Sequence, residues 1–283
     1  MNGLRKRAAL GQNFLRNPET ARALVKAAGI RAGDRVYDLG AGAGAMTHAL
    51  LLAGADVIAV ERDANLAAKL RRRFAGRAVN ILEADINETT FAAPFSVVAN
   101  IPFGETAATM RRLFFSSPHP DRAQLLIQRE AAEKYAGVGR LTAVSLMLAP
   151  WFQSRIVCSL ARREFVPQPG VDVVALSLVQ RTPPGLARSE RECWNAFVRY
   201  ALGRSKSDAR RTFRNLVSNL QWRLLSKDLS VGPDARLDSL SLEQWLAIYR
   251  FVRAHAPSRK TRIIRMPLQK CGSLLPGRNA LNQ

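Results

Sequence analysis

Val36-Tyr37-Asp38-Leu39-Gly40-Ala41-Gly42-Ala43-Gly44 is a short apolar strand that empties into a glycine-spaced loop, and the helical stretch Ala45 to Ala53 follows at once. Alternating glycines let the main chain turn tightly and approach a ligand without interference from Cβ atoms. The helix start that follows offers unpaired N–H groups. Strand, glycine turn and helix in that order predict an open α/β sheet with its ligand at the carboxyl ends of the strands.

The pattern continues downstream. A second strand, Ala55 to Val60, ends in Glu61. An acid about 20 residues past the loop can accept hydrogen bonds from a ribose diol. A third strand, Ala78 to Leu82, leads to Asp85, and a fourth, Phe95 to Ala99, leads to Asn100-Ile101-Pro102-Phe103. Successive strands thus deliver Asp38 and Gly40, Glu61, Asp85 and Asn100 to one edge. The last turn combines a carboxamide that accepts from an exocyclic amine, a proline that stiffens the chain, and a ring with a stacking face. That set suits a flat, amine-bearing ring; in isolation it also reads as an ordinary strand-to-helix turn.

The glycine spacing alone also fits a dinucleotide fingerprint, with Ala45 in the place of the third glycine. Asp38 argues the other way. A carboxylate facing the loop repels a pyrophosphate and suits a cofactor that carries an amine and a sulfonium. Together with Asp85 and the Asn100 turn it points to a methyl-donor site.

Gly11-Gln12-Asn13-Phe14-Leu15, the Asp38–Gly44 loop, Glu61, Asp85 and Asn100–Phe103 together resemble the ribosomal RNA adenine N6-methyltransferases. Within that superfamily, Ile101 and Phe103 resemble the Erm branch, which modifies one adenine of 23S rRNA and confers macrolide, lincosamide and streptogramin B resistance. Housekeeping small-subunit dimethyladenosine transferases more often carry Asn-Leu-Pro-Tyr. Phe165-Val166-Pro167-Gln168-Pro169-Gly170-Val171 is similar to the late Phe-x-Pro-x-Pro-x-Val segment of the family. The resemblance spans residues 8–255. It implies S-adenosylmethionine as cofactor, with contacts from Asn13, Leu15, Gly40, Glu61, Asp85 and Asn100. It implies that Asn100 and the Ile101 carbonyl accept the adenine N6 hydrogens while Phe103 stacks on the ring. Phe165 either covers the opposite face or packs at a strand end. Phe103 lacks the hydroxyl of the Tyr found in several members, so no phenol-dependent step follows.

Composition fits this reading. The 283 residues carry a net charge of +21, with 35 Arg to 8 Lys. Such a surface attracts a polyanion. Arginine suits phosphate and base contacts, although a GC-rich genome produces the same bias. Cys158, Cys193 and Cys271 are widely spaced, as are His48, His119 and His255. Neither a metal site nor a disulfide framework is expected, and Cys158, in an apolar run, reads as core. No apolar run is long enough for a membrane span and none follows the basic Arg5-Lys6-Arg7. A cytoplasmic monomer is expected.

The fold class expected is α/β: a Rossmann-like S-adenosylmethionine-dependent methyltransferase sheet, mostly parallel, with one reversed edge strand and a small C-terminal α-helical domain. Asn17 and Pro18 start an early helix. After Asn100 come a helix (Thr106 to Phe115), a strand (Ala123 to Gln128), a helix around Thr142–Trp151, and the runs Arg155 to Leu160 and Val173 to Val179, which pair as a hairpin. Arg129-Glu130-Ala131-Ala132-Glu133-Lys134 either lines an RNA channel or forms an exposed charged helix. Thr182-Pro183-Pro184-Gly185 reads as a hinge. The domains expected are 1–182 (catalytic), 186–255 (helical, RNA-binding) and 256–283 (a flexible basic tail). The helical domain predicts helices Glu190 to Leu202, Ala209 to Leu225 and Leu242 to Val252. Trp194, Phe197 and Val198 share one face, and Leu216, Leu220 and Leu224 share another. Arg204, Lys206, Arg210, Arg211 and Arg214 are the candidate phosphate contacts, or else a solvated basic face. Residues 185–283 hold 19 basic and 7 acidic side chains, against 24 and 15 in 1–184. Basic charge is therefore denser in the C-terminal third.

Three functions fit: an Erm-type 23S rRNA adenine N6-methyltransferase, a housekeeping small-subunit rRNA dimethyltransferase, and a non-catalytic RNA-binding protein on the same fold. The intact Gly40, Glu61, Asp85 and Asn100–Phe103 argue against the third. Ile101 and Phe103 favour the first, with 23S rRNA, as ribosomal precursor or naked RNA, for its partner.

Overall fold

The computed structural model describes residues 13–203, 208–232 and 234–255. In chain order the elements are β1 (Phe14–Leu15), α1 (Pro18–Ala27), β2 (Arg35–Leu39), α2 (Ala45–Leu52), β3 (Asp56–Glu61), α3 (Ala64–Arg73), β4 (Val79–Glu83), β5 (Ser96–Asn100), α4 (Thr106–Phe114), β6 (Arg122–Gln128), α5 (Arg129–Ala136), α6 (Ala143–Leu148), β7 (Phe152–Leu160), β8 (Phe165–Val166), β9 (Val173–Gln180), α7 (Arg191–Leu202), α8 (Ala209–Phe213), α9 (Asn219–Asp228) and α10 (Leu242–His255). Among the described residues they divide into two compact units: those up to Val138 with Phe152–Gln180, and Gly139–Trp151 with those from Arg181 onward.

The first unit is a seven-stranded sheet in the order β4-β3-β2-β5-β6-β9-β7. The strands from β4 to β6 are parallel, and β9 runs antiparallel to both β6 and β7. The expected mostly parallel sheet is present, but its reversed strand lies one place in from the edge. Burial explains the placement: Val173 to Leu178 are buried, with side chains covered on both faces, whereas β7 alternates between covered and exposed. Cys158 falls on an exposed position of that edge strand, next to a register shift, so it is not core as its apolar neighbours imply.

The chain runs outward from β2 through β3 to β4, then returns to place β5 on the other side of β2. This reversal opens a crevice at the carboxyl ends of β2 and β5, where open α/β sheets take ligands. Helices start where the sequence indicates. Asn17 accepts from the Glu19 amide at 2.9 Å with Pro18 at the first helical position of α1, and Asp63 accepts from the amides of Asn65 and Leu66 at the start of α3. α1 turns Ala21, Leu24 and Val25 into a core with Val36, Val57 and Val98.

The second unit is helical. Trp194 and Phe197 of α7, Phe213 of α8, Trp222 of α9, and Trp245 and Tyr249 of α10 are all buried. The Phe197 ring lies 5.4 Å from that of Phe213 and 5.4 Å from that of Tyr249. The Trp194 indole donates to the Leu146 carbonyl at 3.0 Å. That bond helps explain why residues 139–151 group here rather than with a catalytic domain running unbroken to residue 182.

One expected helix is two. Ala209 to Leu225 breaks after Phe213 and restarts at Ser218, whose hydroxyl accepts from the Gln221 amide at 3.2 Å while Gln221 Oε1 accepts from the Ser218 amide at 2.8 Å. The restart changes the helical phase. Leu216 stays buried, but Leu220 and Leu224 are 57% and 56% exposed, and Trp222 and Leu225 take the core positions.

Candidate active site

Main-chain bonds hold the glycine loop in place. The amides of Gly40 and Ala41 both donate to the Val60 carbonyl, at 2.8 and 3.0 Å. The Gly42 amide donates to Glu61 Oε2 at 2.8 Å, and the Asp63 amide to Glu61 Oε1 at 2.9 Å. Glu61 therefore shapes the loop while standing at its edge. Gly42 has φ +56°, and a Cβ there would lie 2.5 Å from Phe14 Cε1. An L side chain there would push against the Phe14 ring and be strained at that φ.

Asp38, at the end of β2, is buried and accepts from the Thr47 hydroxyl at 2.6 Å. Burial pushes its carboxyl from 3.8 up to about 7; the Thr47 hydrogen bonds draw it partway back and the Glu61 charge adds to the rise. A buried acid whose hydrogen bonds both come from Thr47, facing a ligand loop, suits a cation.

Two adjoining clefts meet at this loop. One, of about 550 Å³ open to solvent, runs along Glu61, Asp85 and Ile86 to Asn100, Ile101 and Phe103. The other, of about 310 Å³, reaches Asp38, Ala43 and Met46. Gly40, Phe14 and Asn100 line both.

Asn100 closes β5 with its amide orientation set. Its Nδ2 donates to the Asn13 carbonyl at 2.6 Å, which leaves Oδ1 as the acceptor, without a hydrogen bond among the described residues. The Ile101 amide donates to the Leu126 carbonyl, and the Glu105 amide closes the turn onto Pro102. Phe103 is partly exposed and packs on the sheet core.

The structure gathers Asn13, Gly40, Glu61, Asp85, Asn100, Ile101 and Phe103 around the first cleft, and Leu15 lines the second. Phe165 is a correction to the expected base-stacking role. It is fully buried in the core with Leu24 and Val173, because β8 pairs with β1 and sets Phe165 opposite Leu15. Arg210, Arg211 and Arg214 are exposed, and Arg211 pairs with Asp208 at 3.3 Å. Arg204, Lys206 and the tail 256–283 lie outside the described residues. In α5, Ala132 and Tyr135 are buried and the charged positions are at least partly exposed.

Phe14, Arg62 and Glu105 also line the first cleft, beyond the residues that the sequence marks for it. Phe14 carries a sequence signal, since it sits between Asn13 and Leu15. Arg62 had only its place after Glu61.

A family model described as ribosomal RNA adenine dimethylase matches residues 3–254. The chain belongs to this family. It is 31% identical to the ribosomal RNA small subunit methyltransferase A of Thermosynechococcus vestitus over 88% of this chain and 98% of that one. It is 34% identical to an rRNA adenine N-6-methyltransferase of Corynebacterium diphtheriae over 66% of this chain and 74% of that one. Among solved structures it is similar to the 23S rRNA methyltransferase ErmE, at TM-score 0.77 and 26% identity, over 85% of this chain and all of that one. As a ribosomal RNA adenine dimethylase family member the chain is an S-adenosylmethionine-dependent rRNA adenine N6-methyltransferase. The clefts suit that cofactor: a buried carboxylate for an ammonium group, Glu61 for a diol, Asp85 for an amine, and glycines where a side chain would block the approach. Among the described residues no helix is long and apolar enough to cross a membrane.

Proposed function

We propose that this enzyme methylates N6 of one specific adenine in 23S rRNA, as precursor or naked RNA, acts as a monomer, and so confers macrolide, lincosamide and streptogramin B resistance. The observation that carries this reading is the agreement with ErmE along that enzyme's whole length, at TM-score 0.77. Ile101 and Phe103 in the target-side turn support it. A second reading, modification of small-subunit rRNA, draws on the Thermosynechococcus relative, which is matched over 98% of its length.

In this reading Asp38, Gly40, Glu61, Asp85, Asn13 and Leu15 hold S-adenosylmethionine, which supplies an electrophilic methyl group on a sulfonium. An aromatic amine is a weak nucleophile because its lone pair is delocalised into the ring. Asn100 Oδ1 and the Ile101 carbonyl accept the two N6 hydrogens, favour a pyramidal nitrogen, and stabilise the positive charge that develops there. Phe103 stacks on the base and aligns N6 for in-line attack. No strong base is needed, since the N6 proton becomes acidic only as the new bond forms. Exposed Arg210, Arg211 and Arg214 supply phosphate contacts.

Labelled methyl transfer to protein-free 23S and 16S rRNA tests this directly. Incorporation into 23S rRNA that Asn100→Ala lowers by about 100-fold or more is expected. Full activity in Asn100→Ala removes the role given to its amide, and incorporation into 16S rRNA alone supports the second reading.

A further inference from the structure

The first cleft has three carboxylates, Glu61, Asp85 and Glu105, and one cationic side chain among the described residues, Arg62. Arg62 Nη1 lies 2.9 Å from Glu105 Oε1 and 3.6 Å from Asp85 Oδ2. These acids come from opposite walls. Asp85 follows β4 on the cofactor side, and Glu105 lies two residues past Phe103 on the target side. The base of the arginine is fixed on both sides, since Glu61 is tied to the glycine loop and Asp63 caps α3. A guanidinium on an anchored stem therefore spans the cleft.

Stability gives little reason for this arrangement. The Arg62 side chain is 57% exposed, and exposed ion pairs add little to folding. A planar cation beside the nucleoside end of a cleft has another use, because guanidinium groups pack on the faces of π systems.

We infer that Arg62 is a positioning residue that clasps the purine of the bound cofactor, with Glu105 as its tether. The tether joins the cofactor wall to the turn that presents Asn100 and Phe103. This inference rests on the methyl-donor reading of the cleft and is independent of which RNA is modified.

The test is calorimetric binding of S-adenosylhomocysteine, without RNA, to the full chain and to Arg62→Ala, Arg62→Lys, Glu105→Gln and the Arg62→Ala/Glu105→Gln double variant. Arg62→Ala is expected to weaken binding about tenfold, with Arg62→Lys recovering part of the loss. Glu105→Gln is expected to weaken it about threefold in the wild-type background and to have no further effect once Arg62 is Ala. In turnover assays the Arg62→Ala loss is expected in the cofactor KM, with kcat at saturating cofactor kept within about threefold. Arg62→Ala binding within about twofold of wild type overturns the clasp, and so does an equal Glu105→Gln effect in both backgrounds. A wild-type chain that does not bind S-adenosylhomocysteine overturns the cofactor reading of the cleft and the clasp with it.

Discussion

With Asp38 facing the ammonium group of the cofactor, cofactor binding is expected to release a proton. Its carboxyl is raised by burial from 3.8 to about 7, so between those pH values the folded, ligand-free protein holds a proton that the unfolded chain has lost. The stability from this group is fully present below pH 3.8 and is lost as the pH rises to about 7. A shift of about three units corresponds to about 4 kcal/mol. An ammonium group placed beside the carboxylate offsets the desolvation and returns the acid toward its ordinary range. Affinity for S-adenosylhomocysteine then rises about tenfold per pH unit from pH 5, flattens above about pH 7, and gains roughly 90-fold by pH 8. At pH 6 about 0.9 proton leaves on binding. Calorimetry from pH 5 to 8, in pairs of buffers with different ionisation enthalpies, reads both quantities. Asp38→Asn should bind weakly at every pH and release no proton. A wild-type affinity that is flat between pH 5 and 7, or a slope that survives in Asp38→Asn, refutes the assignment of Asp38 to the amine.

Gly42→Ala forces a Cβ to within 2.5 Å of Phe14 Cε1 at φ +56°. A loss of about tenfold or more in cofactor affinity is expected by titration, together with about 1–2 kcal/mol of stability. Phe103→Ala should cost about 1–3 kcal/mol of base stacking, seen as a 10- to 100-fold fall in kcat/KM for RNA, while Phe103→Tyr keeps activity; equal losses in both variants count against stacking. In urea unfolding, Leu220→Ser should change stability by less than about 0.5 kcal/mol and Trp222→Ala should cost about 3–5 kcal/mol. The opposite ranking restores the continuous-helix reading.

The sheet and the cleft were legible because their signals are local. A β-strand running into Gly40-Ala41-Gly42 announces itself within nine residues, and so do Glu61 after β3 and Asn100-Ile101-Pro102-Phe103 after β5. What the sequence concealed depends on distant partners. Phe165 is buried because β8 pairs with β1, some 150 residues earlier, and no nearby residue reports that pairing. The Arg62–Glu105 bridge joins two loops that only the sheet order brings together. The exposure of Cys158 reflects its edge strand and register shift, which an apolar run does not reveal. The break in the Ala209–Leu225 stretch was written locally, as the Ser218-x-x-Gln221 capping box, but the Leu216, Leu220, Leu224 repeat crosses it and imitates one continuous stripe. There periodicity and capping disagreed, and capping was the better guide.

The identity of the modified adenine separates a 23S rRNA enzyme from a small-subunit one. Primer extension on ribosomal RNA from cells expressing the wild-type chain, with Asn100→Ala as control, tests it most directly. One strong stop at a single large-subunit adenine is expected, absent with Asn100→Ala and accompanied by erythromycin resistance. Stops at paired adenines of small-subunit rRNA, with the large subunit unchanged, would contradict it.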